Sequence, residues 1–389
     1  MAKQEALRVA MIGSGFMGAA HSQAWRVAPR FFDLPQRPEM AVLVGRDADR
    51  ASAAAARFGW TASATDWREV LQRDDIDLID ICTPGDTHAE IAVAALAAGK
   101  HVLCEKPLAN TVAEALVMAD AAESAATNGV FAMVGFSYRR VPAITFAREL
   151  VRSGRIGTLR RVQANYLQDW LVDENGPMTW RLDKSRAGSG SLGDIGAHAI
   201  DAVQFITGQT VDEVSGTLAT FVPERPLLGE GVGLSGTVSD QWGTVTVDDS
   251  ALFAGRLSEG ALAGFEATRF ATGRKNAFRL EFSGSTGAVS FDLERMNELE
   301  FYDGTDAPGE QGFRRILVTE PEHPYAAAWW PAGHGLGYEH AFTHQVRDLL
   351  EDLAAGRQPE PSFADGLRVQ RVLDAVERSA ANRSQWTTV

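Results

Sequence analysis

Between Leu7 and about Ser137, short apolar runs rich in β-branched residues alternate with Ala-rich stretches of helical period. This is the pattern of a parallel sheet whose crossovers are helices. The predicted strands are LRVAMIG (7 to 13), MAVLVG (40 to 45), DLIDICTP (77 to 84), HVLCEKP (101 to 107) and VFAMVGF (130 to 136), with helices predicted at 50 to 58, 87 to 98 and 111 to 125. Gly59 and Gly99 follow two of these helices, where a left-handed residue ends the helix and a Cβ would be penalised. Parallel neighbours cannot be joined by a tight turn, so this region is restricted to a doubly wound α/β arrangement.

The texture then changes. A helix is predicted at 142 to 154, followed by RRVQANYLQDW, a Gly-rich stretch and a second helix, IGAHAIDAVQFITG (195 to 208). From about 211 to 320 polar and apolar residues alternate, and the runs 251 to 270, 278 to 294 and 298 to 304 resemble successive antiparallel strands with Gly-containing turns. Helices are expected at about 337 to 355 and 363 to 382, the second opened by Ser362 with Asp365 as a capping box. With 389 residues, too many for one ordinary core, the chain is expected to form two domains: a dinucleotide-binding Rossmann domain at 1 to 137, and an α/β domain with a large open, mostly antiparallel sheet at 138 to 389. A sheet with helices on one face leaves the other needing cover, which points to an oligomer.

Hydrophobic residues make up 45% and charged residues 23% of the chain, the balance of a globular enzyme. A formal net charge of -14 opposes nucleic acid and anionic membrane as partners and favours a small molecule. The absence of a long apolar run or a signal-like start leads to an expected cytoplasmic location. Cys82 and Cys104, both in apolar strand-like runs, offer no disulfide framework and read as buried small hydrophobes.

Gly13-Ser14-Gly15-Phe16-Met17-Gly18 is a GxGxxG between a strand and a helix, the context that makes such a string a dinucleotide site. Its glycines serve a tight turn, close approach to a pyrophosphate and close packing of helix on strand, with the phosphates on the helix N-terminus. An acid at the end of the second strand normally holds the adenosine ribose. Gly45 and Arg46 stand there instead, which leaves NADP open; Asp47 or Asp49 could reach the ribose, or could serve only the start of a helix. Glu105-Lys106-Pro107 ends a strand at the edge that faces the ligand crevice. Asp194 and His198 are spaced i and i+4, one face of a helix, and the glycines around Asp194 point to close ligand or backbone approach. They lack a clear third ligand, and His340 with His344 reads as packing, so no metal is expected. Tyr138, Arg139, Gln168, Trp180 and Arg181 combine aromatic faces with polar forks and are candidates for a carbohydrate-binding shell; core packing and salt bridges are the competing account of each.

GSGFMGAAH (13 to 21), ICTPGDTH (81 to 88), CEKPLA (104 to 109), GFSYRRVPAI (135 to 144), SGRIG (153 to 157) and SLGDIGAHAIDAVQFITG (191 to 208) together resemble the Gfo/Idh/MocA family of oxidoreductases over almost the whole chain. Residues 166 to 198 are most similar to the levoglucosan dehydrogenase and glycoside 3-dehydrogenase branch. The resemblance implies a Rossmann domain followed by an open-sheet domain, dimers or tetramers, and Lys106, Asp194 and His198 as a catalytic trio. It also implies cofactor contacts from Gly13, Gly15, Phe16, Met17, Gly18, Arg46, Thr83, Pro84, His88, Glu105 and Lys106, with NAD favoured. Ser137 stands where many members have Asn, and Gly45 where an acid is usual. The expected activity is NAD(P)-dependent hydride transfer at a secondary alcohol of a sugar, anhydrosugar, glycoside or inositol. A redox-neutral enzyme that retains NAD and a non-catalytic dinucleotide sensor are the alternatives.

Overall fold

The computed structural model describes residues 6 to 229 and 238 to 389. The part of the alternating tract at 230 to 237 lies outside these residues. The chain divides into two compact units, the first comprising Met1–Val141, Ala328–Trp330 and Leu336–Leu367, and the second the remainder.

In the first unit β1 (Ala6–Ile12), β2 (Arg37–Val44), β3 (Ala62–Ala64), β4 (Leu78–Ile81), β5 (His101–Cys104) and β6 (Ala132–Val134) form one parallel sheet in the order β3-β2-β1-β4-β5-β6. Its middle is dry on both faces, with Val9, Ala10, Leu43, Leu78, Ile79 and Leu103 fully buried, as the near-continuous apolar runs require. The crossovers are α1 (Phe16–Phe31), α2 (Ala48–Phe58), α3 (Trp67–Leu71), α4 (His88–Ala97) and α5 (Val112–Ala126). Gly59 and Gly99 adopt the left-handed backbone expected of them, with φ of 86° and 75°. Strand β3 has no counterpart in the sequence reading, because three residues, two of them exposed, carry too little apolar pattern to be seen.

The helix predicted near 337 to 355, placed by sequence in the second domain, is found in the first unit as α9, once α6 to α8 of the second unit are numbered (Tyr338–Ala354). Its buried face, Phe342, Val346, Leu349 and Leu350, shares one apolar cluster with Trp25 and Ala28 of α1 and Leu43 of β2. Amphipathicity fixes which face of a helix is buried but not what buries it.

In the second unit, α6 (Pro142–Arg152), α7 (Lys184–Ala187) and α8 (Ala197–Thr207) accompany β7 (Leu159–Leu167), β8 (Val211–Ala219), β11 (Ser250–Leu257), β12 (Leu262–Thr268), β13 (Ala277–Gly284), β14 (Gly287–Asp292), β15 (Glu298–Asp303), β16 (Arg314–Leu317) and β17 (Thr387–Thr388). These nine strands form one sheet in the order β16-β15-β14-β13-β7-β12-β11-β8-β17, while β9 (Glu224–Leu228) and β10 (Val238–Thr244) form a separate hairpin. Only the β7 to β12 pairing is parallel. β11 shows the one-sided pattern most clearly, with Ala251, Phe253 and Leu257 buried and Leu252, Ala254 and Arg256 exposed. The last helix, α10 (Phe363–Ala381), opens with the predicted capping box: Ser362 N–H donates to the Asp365 carboxylate at 2.7 Å, and Asp365 N–H to Ser362 Oγ at 3.3 Å.

Candidate active site

The three motif glycines of the first unit each meet a different steric demand. Gly13 has φ of +109°, and a Cβ there would lie 2.7 Å from the Cys82 carbonyl oxygen; one at Gly18 would lie 2.2 Å from that of Gly13. A Cβ at Gly15 would meet nothing within 4 Å. Gly15 therefore leaves an open cradle at the N-terminus of α1, whose first turn carries no acid to compete with an anion. The residues present fit a dinucleotide pyrophosphate. Phe16 is 68% exposed and stacks on Tyr338, and Met17 is half-buried. At the end of β2, Arg46 is exposed, while the Asp47 carboxylate accepts the Arg50 N–H at 2.9 Å and so caps α2.

Beyond β4, Thr83 Oγ1 accepts from Thr87, and half-buried Pro84 precedes the turn into α4. His88 is placed behind the loops it joins. It is fully buried, with Nε2 2.9 Å from the Thr83 carbonyl oxygen and Nδ1 3.0 Å from that of Pro107, so it ties two crevice loops together from behind. Glu105 is likewise buried and turned inward, where its Oε1 lies 3.0 Å from His21 Nε2. His21 Nδ1 is 2.9 Å from Asp80, and Trp25 donates to the same carboxylate at 2.7 Å. An imidazole with a carboxylate on each nitrogen must donate from both. Burial, the largest single effect, would lower its pKa, but the charge and hydrogen bond of Asp80 together with Cys82 outweigh it and hold the pKa well above the usual value. Lys106, half-buried, follows Glu105 directly at the end of β5.

In the second unit the run around Asp194 is not a plain α-helix: Leu192–Gly196 form a wider π turn that leads into α8. Single π turns recur at functional sites. Asp194 is half-buried in this turn and His198 sits in the first turn of α8, 9% exposed, with the Tyr166 ring 5.9 Å from its own. The approach to the turn is fixed by Asp248, whose carboxylate accepts from Gly190 N–H at 2.7 Å, Ser191 Oγ at 2.6 Å and Leu192 N–H at 2.8 Å. A Cβ at Gly190 would lie 1.7 Å from the Asp248 carbonyl oxygen, so Gly190 serves close backbone approach here. The Asp194 carboxylate lies 3.6 Å from Nη1 of Arg269.

The carbohydrate-shell candidates separate. Tyr138 and Arg139 are buried, and Arg139 lies 3.7 Å from the Asp365 carboxylate. Gln168 donates to Asn276 Oδ1 at 2.7 Å and accepts from Trp170 at 2.9 Å, and Tyr166 donates to the same Asn276 oxygen at 2.8 Å. Gln168 thus belongs to a polar chain that reaches the ring facing His198. Trp180 and Arg181 are half-buried and stack on one another, the guanidinium 4.5 Å from the ring centroid. His344 accepts from Trp329 at 2.7 Å on Nε2, with Nδ1 2.9 Å from the Arg140 carbonyl oxygen, and burial pushes its pKa down to about 3. Burial raises the pKa of both cysteine thiols, although Cys82 is only half-buried and donates weakly to Asp80. Sequence reading missed His21, Asp80, Asp248 and Arg269. His21 ends a quoted motif, and the Asp248-Asp249 pair inside a strand-rich tract was a usable signal, since adjacent acids there need partners.

Residues 7 to 136 match the family model described as "Oxidoreductase family, NAD-binding Rossmann fold", and residues 144 to 290 match that of the "GFO/IDH/MocA C-terminal domain". The chain is 41% identical to levoglucosan dehydrogenase from Pseudarthrobacter phenanthrenivorans over 98% of each chain. Among solved structures it is similar to an oxidoreductase domain protein from Kribbella flavida, with 62% identity, TM-score 0.94 and 99% of each chain covered. It is also similar to levoglucosan dehydrogenase in complex with NADH and levoglucosan, with 40% identity, TM-score 0.93, 99% of this chain and 100% of that one.

Proposed function

The chain belongs to the Gfo/Idh/MocA family of oxidoreductases, and from that premise we propose that it oxidises a ring hydroxyl of an anhydrosugar or glycoside, with levoglucosan as the first substrate to test. It is an NAD-binding dehydrogenase of a sugar or polyol CH–OH. What carries the finer reading is the near full-length likeness to an enzyme solved with NADH and levoglucosan.

When bound, the nicotinamide supplies the hydride acceptor. The residues proposed to act on the substrate are His198, Lys106 and Asp194. His198 takes the hydroxyl proton, as an imidazole near neutrality suits a general base. Lys106 hydrogen-bonds the same oxygen and stabilises its developing negative charge, as a compact cation with rotatable donors. Asp194 orients the imidazole or binds a neighbouring hydroxyl. Gln168, with Tyr166 and Asn276 behind it, is proposed to line the sugar pocket together with Trp180 and Arg181. NAD is favoured over NADP by likeness to the NADH complexes, although Arg46 would tolerate a 2′-phosphate.

The sheet of the second unit exposes Leu252 and Ala254 beside Gln163 and Thr217, a face suited to burial against a second copy, and a homodimer or homotetramer is proposed. Sedimentation showing monomer alone at micromolar concentration removes that assembly. Among the described residues no helix is long and apolar enough to cross a membrane; a cytoplasmic location remains part of the proposal.

The experiment is formation of reduced nicotinamide from NAD and from NADP with levoglucosan, glycosides, inositols and free sugars, with Lys106→Ala in parallel. A lysine-dependent signal in one substrate class supports the reading, with a loss of about 10²- to 10³-fold expected for the variant. Silence across the panel despite tight NADH binding favours redox-neutral turnover or a sensor.

A further inference from the structure

Arg269 stands just beyond β12 and is wholly buried. Its Nη2 donates to the Asp248 carbonyl oxygen at 3.2 Å, and its charge lies 5.4 Å from the Trp170 ring centroid. Neither its Nε nor its Nη1 has a hydrogen-bond partner among the described residues. A guanidinium taken fully out of water is strongly unfavourable unless an opposite charge stands near. Two carboxylates share the neighbourhood. Asp249 spends one oxygen on the N–H groups of Phe221 and Val222, at 2.7 and 3.1 Å. Asp194 presents Oδ2 to Arg269 Nη1 at 3.6 Å, with the arginine end dry and the aspartate side chain 29% exposed. A second wholly buried arginine, Arg225, is absorbed differently: its two Nη atoms donate to the carbonyl oxygens of Leu171, Asp173 and Gly176. Arg269 is therefore a buried cation whose Nη1, without a hydrogen-bond partner among the described residues, lies against the proposed catalytic carboxylate.

We infer that Arg269 is a positioning residue for the reaction, its buried guanidinium holding the Asp194 carboxylate in place. The inference rests on the reading of Asp194 as catalytic. Because Arg269 has no exposed surface, it acts through Asp194 and not on the sugar. At 3.6 Å the contact is longer than a hydrogen bond, so charge more than a bidentate fork couples the two groups. A lysine at this position should therefore restore part of what a neutral residue removes.

The test is a double-mutant cycle on the full-length enzyme, using NAD and the best substrate of the panel. It comprises Arg269→Gln, Arg269→Lys, Asp194→Asn and the doubles, with NADH affinity measured by fluorescence for each. Asp194→Asn is expected to lower kcat by about 10²-fold or more, the scale of a lost catalytic group. Arg269→Gln is expected to lower kcat roughly 10- to 100-fold, the coupling of a close charge pair. NADH affinity should be unchanged in both, Arg269→Lys should lie between wild type and Arg269→Gln, and Arg269→Gln added to Asp194→Asn should cost less than about threefold more. Losses that multiply in the double variant, or wild-type kcat in Arg269→Gln, overturn the inference while leaving Asp194 in the mechanism. Wild-type kcat in Asp194→Asn overturns both. If Arg269→Gln does not fold, the cycle is read with Arg269→Lys, where a loss that persists unchanged on the Asp194→Asn background is the refuting result.

Discussion

The phosphate cradle of the first unit is shaped by backbone against backbone: the carbonyl of Gly13 would touch any Cβ at Gly18, and that of Cys82 any Cβ at Gly13. The turn that carries Asp194 in the second unit is held instead by side chains from far along the chain, Asp248 taking the Gly190 N–H across 58 residues and Arg269 standing against Asp194. Both arrangements fix a polar group in place. The first is local and intolerant of any side chain at its key positions, and so leaves a mark in sequence. The second depends on strands being paired before the holding groups arrive, and leaves only scattered acids and arginines.

If this contrast is right, Asp248→Ala should have the largest effect on stability and should spare the cradle. Three donors lose their acceptor, each at about 1–3 kcal/mol if it stays buried, so a loss of about 3 kcal/mol or more is expected in urea unfolding. NADH affinity should stay near wild type; an equal fall in NADH affinity would break the comparison. Gly18→Ala should do the reverse. Overpacking costs about 1–3 kcal/mol, and NADH affinity should fall about tenfold or more, about 1.4 kcal/mol, as read by fluorescence titration.

A third measurement concerns the buried charges of the first unit. Burial opposes charge on His21, but Asp80 and Cys82 together raise its pKa well above the unfolded value. Its contribution is fully present below pH about 6.5 and is lost as pH rises through the folded value. Melting temperature should therefore decline with rising pH on the alkaline side more steeply in wild type than in His21→Gln. Parallel curves would show that the imidazole is not charged in the fold. The smallest effect is expected for Arg46→Ala. An exposed charge contributes about 1 kcal/mol or less, so kcat/KM with NADP should fall no more than about fivefold and that with NAD should stay unchanged. A larger drop with NAD would place Arg46 in contact with the ordinary cofactor.

Legibility in sequence followed the same division. The GxGxxG, the glycine helix ends and the Ser362 capping box are visible because each is decided within a few residues by sterics or one short hydrogen bond. Strand β3 was missed because it is short and mostly exposed. Arg139, offered as a sugar ligand, lies 3.7 Å from Asp365, a pairing the sequence could not show, because it does not reveal which carboxylate an arginine meets in the fold. His88 became a buried tie between two loops for a related reason: its partners are backbone carbonyls, which carry no residue signature.

The sequence by itself determined the parallel-sheet architecture of the first unit, the one-sided sheet of the second unit and the family, because hydrophobic period and glycine sterics act locally. Only the tertiary structure decided that α9 belongs with the first unit, that Asp194 sits in a π turn, and that Asp248 and Arg269 stand behind it. Those outcomes depend on which distant surfaces pack and which buried charges find each other, a choice made by the whole fold at once.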